Sequence, residues 1–511
     1  MTTSGGRVAA GNGEVTTTSR RPAPRRSPPG NVTAAWRRHK DLLGSSASLA
    51  ATTGLASVLG FAYWTFAARS FSQEAVGYGS AAVSAMTLLG TIGMLGLGTV
   101  LIGELPRRSV RGGLVSAALL SSLTGSLILG LGFVILAPHF SQRFGHVSGT
   151  LVQAVIFAAG VALTGMTLVF DQATIGLMRG GLQLSRNVLF GAVKLLALPA
   201  VAVILHDRYG LGITAAWVAG MAVSVVLVAS WLRIHGSPVL PRPDWRVLRG
   251  LGKTAVAHSW LNLAIAIPRS LIPVLVTVIV SPKANGAFYV AWTLSGFLYI
   301  VPTHLSTALF AVASADPQIV ARKLRFTLRL SLLIGLPGMA LLGLGAHLAL
   351  SLFGPSYARA ATVTLWLLVA GYLPIIPKMH FIAVCRAAGR ISRAAVVLTA
   401  AAVLEVAAGA AGGAFGGLKG LSFALLGVFL VEGLVTTPPV VRAAIGRGRH
   451  RQADPRPDTI AVTVTERASA DQWDQQEAGI AILLWLARAQ TSPSRSADGG
   501  RHALPGRRPT T

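Results

Sequence analysis

Charged residues are scarce in this 511-residue chain: they make up 12% of it, whereas 52% is apolar. An ordinary soluble domain carries roughly 25% charged residues, so a cytosolic globular enzyme is excluded, because its surface could not be covered with so few charges. The apolar content also excludes disorder over most of the length. The few charges are one-sided, with 45 Lys and Arg against 17 Asp and Glu and a formal net charge of +28. The remaining class is a polytopic membrane protein.

Residues and motifs of catalytic sites are also missing. The single cysteine, Cys385, excludes an intrachain disulfide and a cysteine-based zinc cluster. There is no Walker A motif, so this chain is not expected to hydrolyse ATP. The loops show no metal-ligand cluster and no nucleophile–base arrangement. We therefore predict no enzymatic activity, no metal and no cofactor.

Apolar stretches of about 20 residues follow one another from residue 46 to 441, each long enough for the roughly 30 Å of a hydrocarbon core. They predict an all-α polytopic membrane protein with about twelve transmembrane helices in two bundles of six. The predicted helices are 46–68, 79–104, 113–137, 151–174, 187–205 and 210–232, then 254–280, 287–314, 329–353, 362–385, 394–414 and 420–441.

These helices divide the chain into five predicted parts. An N-terminal bundle (46–232) is joined by a basic cytoplasmic linker (233–253) to a C-terminal bundle (254–441). The tails 1–45 and 442–511 are polar and predicted to be mostly disordered.

Loop charges predict the orientation of the chain. With a cytoplasmic N-terminus, five inside loops hold 17 cations and six outside loops hold one each, the alternation expected from the positive-inside rule. Both termini are therefore predicted to be cytoplasmic. The inside cations are Arg107, Arg108, Arg111, Arg179, Arg186, Arg233, Arg242, Arg246, Arg249, Lys253, Arg322, Lys323, Arg325, Arg329, Arg386, Arg390 and Arg393.

The two halves show traces of duplication. Ser72 and Gly77, after the first helix, recur 209 residues later as Ser281 and Gly286, and the Arg179…Ser185-Arg186 loop recurs at an offset of 207. Because each half holds an even number of helices, the halves should be parallel repeats about an axis along the membrane normal. Such duplication is typical of alternating-access transporters.

Two runs resemble bacterial polysaccharide export proteins: GFAYWTFAARSFSQEAVGYGSA (60–81) and LSLFGPSYARAATVTLWLLVAGYL (350–373). These belong to the superfamily of multidrug, oligosaccharidyl-lipid and polysaccharide exporters. The resemblance implies a V-shaped pair of six-helix bundles in the bacterial plasma membrane. It also implies that undecaprenyl-pyrophosphate-linked oligosaccharide is flipped to the outer leaflet for surface polysaccharide assembly, alongside a polymerase or glycosyltransferases. Because most of the cations lie in the predicted inside loops and tails, no nucleic-acid partner is expected.

Three other functions stay open. A lipid II flippase of the same superfamily normally has extra C-terminal helices, for which only the short 479–487 run is available. A cation-coupled drug exporter normally carries an acid within its first helix, whereas 46–68 contains no charged residue. A membrane polysaccharide polymerase would need a large outside loop, and every predicted outside loop is about 13 residues or shorter.

Three cations fall inside predicted helices, where topology does not explain them: Lys194, Arg269 and Lys378. A cation at this depth should face a polar cavity or an acid, and fixed cations suit the pyrophosphate of a lipid carrier. We therefore predict a cationic substrate-binding cavity from these three residues. The buried acids Asp171, Glu405 and Glu432 are candidates for proton or ion coupling, or for neutralising a nearby cation.

Overall fold

A computed structural model describes residues 54–108, 111–140, 149–177, 179–204, 210–236, 241–315 and 320–446. The predicted tail 1–45 lies outside these residues, as does nearly all of the predicted tail 442–511. Every regular element in the described ranges is a helix.

In the described residues, seven helices form the N-terminal half, here the N-lobe. They are α1 (54–70), α2 (Gln73–Gly93), α3 (Leu97–Glu104), α4 (Gly112–Phe140), α5 (Leu151–Gly176), α6 (Gly180–Ile204) and α7 (Leu211–Ile234).

The C-terminal half, here the C-lobe, starts with α8 (Trp245–Leu275), whose last turn widens into a π-helix (Val276–Val280). It continues with α9 (Pro282–Ala315), α10 (Val320–Leu344), α11 (Ala346–Ser351), α12 (Pro355–Ala370) and α13 (Tyr372–Ala387). The last run, Ile391–Ala444, is broken at Gly417, whose φ of 57° and ψ of −145° are not helical. Its two arms are α14 (391–416) and α15 (418–444).

Nine described helices are long and apolar enough to cross a membrane, or ten if the bent pair α12–α13 is one span. The predicted all-α polytopic fold is confirmed. The described part of α1 adds a further apolar segment, and the break at Gly417 divides the longest helix into two arms. Six segments in each half then correspond to the twelve predicted.

Two predicted helices are interrupted. The second is broken between α2 and α3, where Leu95 and Gly96 have φ values of 52° and 70°. The tenth bends by 43° at Gly371 between α12 and α13. Pro374, in the first turn of α13, has no N–H to donate to the preceding turn, so one backbone hydrogen bond is missing at this bend.

Helix α8 begins nine residues before its predicted start at 254. The Asp244 side chain accepts a hydrogen bond of 3.1 Å from the Val247 N–H, so an N-cap opens the helix within the predicted linker. At the other end of the chain, α15 runs to Ala444, a few residues past the predicted 441.

The two lobes meet where α2 and α9 begin. Ser72 and Ser281, 209 residues apart, are equivalent N-caps that accept from Ala75 N and Ala284 N. One turn later Gly77 and Gly286 face each other: a Cβ on Gly77 would lie 1.8 Å from Pro282 O and 3.0 Å from Gly286 N. The glycines that repeat in the sequence therefore mark a helix crossing at which only glycine fits.

Further contacts seal the same end of the molecule. Asn285 Nδ2 donates to Gly77 O at 2.8 Å and to Ser80 Oγ at 3.1 Å. Arg69 Nε donates to Leu352 O at 2.7 Å. We call this the arginine-poor end. The opposite ends of the helices form the arginine-rich end, which holds Arg108, Arg111, Arg179, Arg233, Arg242 and Arg390.

Candidate functional site

Lys194 lies in α6 inside the N-lobe and is 4% exposed. Its Nζ sits 3.8 Å from the ring centroid of Trp217, 4.3 Å from that of Phe190 and 4.9 Å from that of Tyr63. Close approach of α6 to α7 depends on Gly220, where a Cβ would lie 2.8 Å from the Lys194 Cβ. Cation–π attraction stabilises the ammonium here, and none of the described acids forms an ion pair with it.

Arg269 lies in α8 between Pro268 and Pro273. Unlike Lys194 it is exposed, and its guanidinium is close enough to Tyr289 of α9 to interact electrostatically with the phenol. Among the described residues Arg269, too, has no carboxylate partner. Because a lipid-facing guanidinium would be costly at this depth, an exposed arginine here belongs beside a polar cavity.

Aromatic rings connect the surroundings of these two cations. Trp64 of α1 packs on Trp217 with centroids 6.1 Å apart, and on Tyr289 with centroids 4.6 Å apart. The second contact crosses from the N-lobe to the C-lobe. Lys194 and Arg269 therefore approach one aromatic cluster from opposite lobes.

Lys378 is arranged differently. Its Nζ lies 2.6 Å from Glu405 Oε1 and 2.8 Å from Glu432 Oε2, which joins α13 to α14 and α15 within the C-lobe. Glu432 Oε1 is buried without a hydrogen-bond partner. Three of the six predicted site residues thus form one buried cluster, with one more carboxylate than ammonium.

Asp171 of α5 pairs with Arg186 of α6. Arg186 Nε and Nη2 contact Asp171 Oδ1 and Oδ2 at 2.9 and 2.7 Å, a bidentate geometry that Asn187 supports. The sequence predicts Arg186 in an inside loop. This is wrong, because α6 starts at Gly180 and buries Arg186 to 5% exposure.

These pairings divide the intramembrane charges into two groups. The three predicted acids each contact a cation, whereas Lys194 and Arg269 are without an acid among the described residues. The Lys378 cluster keeps one excess carboxylate, but Lys194 and Arg269 add two positive charges, so these intramembrane groups sum to +1.

Sequence reasoning missed the aromatic surroundings of Lys194. Phe190 is one helical turn before Lys194, so part of the cage was visible as i, i+4 spacing. Tyr63 and Trp217 come from α1 and α7, and no local pattern connects them to Lys194.

The fold is similar to that of solved two-lobe membrane transporters. An inward-facing multidrug resistance MATE family transporter of the MOP superfamily superposes with a TM-score of 0.57 at 16% identity, over 77% of this chain and 96% of that chain. The outward-facing MATE family structure gives 0.51 at 16% identity, over 80% and 97% of the two chains.

A third structure is a MOP superfamily transporter from Pyrococcus furiosus, described as having a binding pocket of reverse polarity that suggests a different function. It superposes with a TM-score of 0.51 at 15% identity, over 80% of this chain and 96% of that chain. No protein-family model and no curated protein sequence matches the chain. The chain therefore has the MATE-like fold of MOP superfamily transporters.

Proposed function

We propose that this protein is a flippase that moves undecaprenyl-pyrophosphate-linked oligosaccharide across the bacterial plasma membrane by alternating access. The proposal is carried by one observation: in the described helices, the two intramembrane side chains without an opposite charge beside them are both cations. Lys194 and Arg269 lack acid partners among the described residues, whereas Asp171, Glu405 and Glu432 each contact a cation. A site built this way favours an anionic substrate.

A lipid-linked diphosphate meets this requirement. Its charged head must leave water, and fixed ammonium and guanidinium groups can replace its hydration and counterions. Lys194 belongs to the N-lobe and Arg269 to the C-lobe, so a diphosphate between them would be held by both lobes. Lys378 is already engaged by two carboxylates, and we assign it to charge balance within the C-lobe.

The arrangement of the lobes supports access from the arginine-rich end. The described inter-lobe contacts of α2 with α9 lie at the arginine-poor end. With the arginine-rich end in the cytoplasm, as the positive-inside rule requires, this is a state closed to the outside. The flipped product would then supply a surface polysaccharide polymerase.

A drug exporter is the second candidate, favoured by the MATE-like fold itself. A cationic drug would need an accessible carboxylate in the cavity, whereas Arg186 holds Asp171 in a bidentate pair and the Glu405 and Glu432 side chains are only 6% exposed around Lys378. A lipid II flippase would use the same anionic site, so the unpaired cations do not separate it from our proposal. A membrane polysaccharide polymerase is the least favoured.

Reconstituted vesicles can test the proposal. The probe is a fluorescent undecaprenyl-diphosphate disaccharide, whose exposure in the outer leaflet is read by dithionite quenching. Each charge-assisted contact contributes about 1.5–3 kcal/mol, so Lys194→Gln and Arg269→Gln should each lower the flipping rate about tenfold or more.

The matched control is Lys283→Gln, which removes an exposed ammonium at the arginine-poor end. It should flip the probe like the unchanged protein. Normal flipping by both site variants would overturn the assignment of Lys194 and Arg269. Transport of ethidium in place of the lipid would favour the drug exporter.

A further inference from the structure

Helix α8 contacts both lobes, although it follows the linker and belongs to the C-lobe by chain order. Its first residues, Val247, Leu248 and Leu251, pack with Ala255 against α3 and α4 of the N-lobe. Farther along, Leu261 and Ala264 lie in an apolar cluster of the C-lobe. We call residues 245–255 the foot of α8.

The foot is held by a socket at the break between α2 and α3. Leu95 and Gly96 both have positive φ there, and a Cβ on Gly96 would lie 2.2 Å from Ala255 O. A leucine in the left-handed region has a strained backbone conformation, which the surrounding structure must hold in place. Just beyond the foot, Asn262 Nδ2 donates to Thr99 Oγ1 at 2.9 Å.

The segment leading into α8 is fastened to the same lobe. Asp244 N donates to Gly113 O at the start of α4, at 2.9 Å. A Cβ on Gly113 would lie 2.9 Å from Arg242 O, so α4 and this segment are in close contact. The foot is therefore anchored to the N-lobe from two directions.

The part of α8 beyond the foot is built to bend. Pro268 and Pro273 each remove an intrahelical hydrogen bond, and the π-helix Val276–Val280 follows. Kinks of helices occur at such prolines and π-turns. Between foot and bend, Trp260 Nε1 donates to Thr399 Oγ1 of α14 at 3.1 Å, which ties the helix to the C-lobe.

We propose that the foot of α8 stays in its socket on the N-lobe while the lobes rotate, so that α8 is the pivot of the transport cycle and bends near its two prolines. The contact of α2 with α9 at the arginine-poor end is then the part that opens. This proposal rests on the alternating-access part of the proposed function, but it requires neither the lipid substrate nor Lys194 and Arg269.

Spin-label distances test the pivot without any substrate. Cys385→Ala removes the native cysteine, and labels are placed in pairs at three exposed positions: Arg111 on the N-lobe, Arg249 on the foot and Arg390 on the C-lobe. Opening of the arginine-poor end is forced by Gly77→Val, since a Cβ there would collide with Pro282 O at 1.8 Å.

With Gly77→Val, the distance between positions 111 and 390 should shorten by several ångströms, because the arginine-rich end closes. The distance between positions 111 and 249 should not change. Movement of the 111–249 distance together with the 111–390 distance would overturn the pivot, and so would a 111–390 distance that does not respond. If Gly77→Val does not yield monodisperse protein, Asn285→Leu weakens the same contact by removing both of its hydrogen bonds.

Discussion

Replacing Lys378 by methionine should destabilise the protein strongly, because it leaves two buried carboxylates without their counter-charge. The Lys378 side chain is 12% exposed, and those of Glu405 and Glu432 are 6% exposed. Both carboxylates contact the same Nζ, at 2.6 and 2.8 Å. Methionine keeps most of the stem of the side chain, so the change is mainly electrostatic.

The magnitude follows from the charge balance of the cluster. Removing one partner of a buried ion pair costs about 3–5 kcal/mol, since an uncompensated charge is left behind. Lys378→Met should fall in this range. Glu432→Gln instead leaves one ammonium facing one carboxylate, so we expect it to cost less than about 1 kcal/mol, in the range of a typical neutral hydrogen-bond change.

Unfolding of the purified protein by SDS in mixed micelles, followed by tryptophan fluorescence, measures both free energies. The matched control is Arg108→Gln, which breaks the more exposed pair with Glu104 (side chains 32% and 24% exposed) and should cost only about 0–1 kcal/mol. If Lys378→Met unfolds like the control, or if Glu432→Gln costs as much as Lys378→Met, the argument from excess carboxylate is refuted.

Two further predictions use the same unfolding assay. Arg186→Met should cost about 1–3 kcal/mol, because it strands the half-buried carboxylate of Asp171, whose side chain is 18% exposed. Adding Asp171→Asn should recover part of that loss, and a double variant less stable than the single one would contradict the pairing. Tyr63→Phe should cost about 1–3 kcal/mol, because its hydroxyl donates to the buried Ile213 O at 2.7 Å; no loss would mean that this carbonyl finds another donor.

The number of spans could be predicted because hydrophobicity alone decides which segments cross a bilayer. The breaks could not. Leu95 adopts positive φ where the α2–α3 junction packs against α8, a contact between segments about 160 residues apart that no local pattern reveals. Gly371, at the other break, similarly lies close to other helices, since a Cβ there would be 2.8 Å from Phe429 Cδ2 and 3.0 Å from Tyr299 Oη.

The repeat offsets carried more structural information than their weak similarity indicated. Gly77 and Gly286 recur at 209 residues because each stands where the other helix crosses. The Asp171–Arg186 pair was also accessible in principle. Asp171 is five residues before the end of α5 at Gly176 and Arg186 is six residues after the start of α6 at Gly180, so in a helical hairpin they lie at similar depth. Assigning Arg186 to a loop concealed this.

A role in substrate binding can be inferred for a buried charge only when it is not already paired with an opposite charge inside the fold. A sequence shows that Lys194, Arg269 and Lys378 lie at membrane depth, but it does not show which of them have acids beside them. Lys378 lies within 3 Å of two carboxylates, so it balances charge inside one lobe. Lys194 is surrounded by rings and Arg269 is exposed near Tyr289. Aromatic rings stabilise an ammonium without neutralising it, so Lys194 keeps its attraction for a mobile anion, which a carboxylate partner would have cancelled.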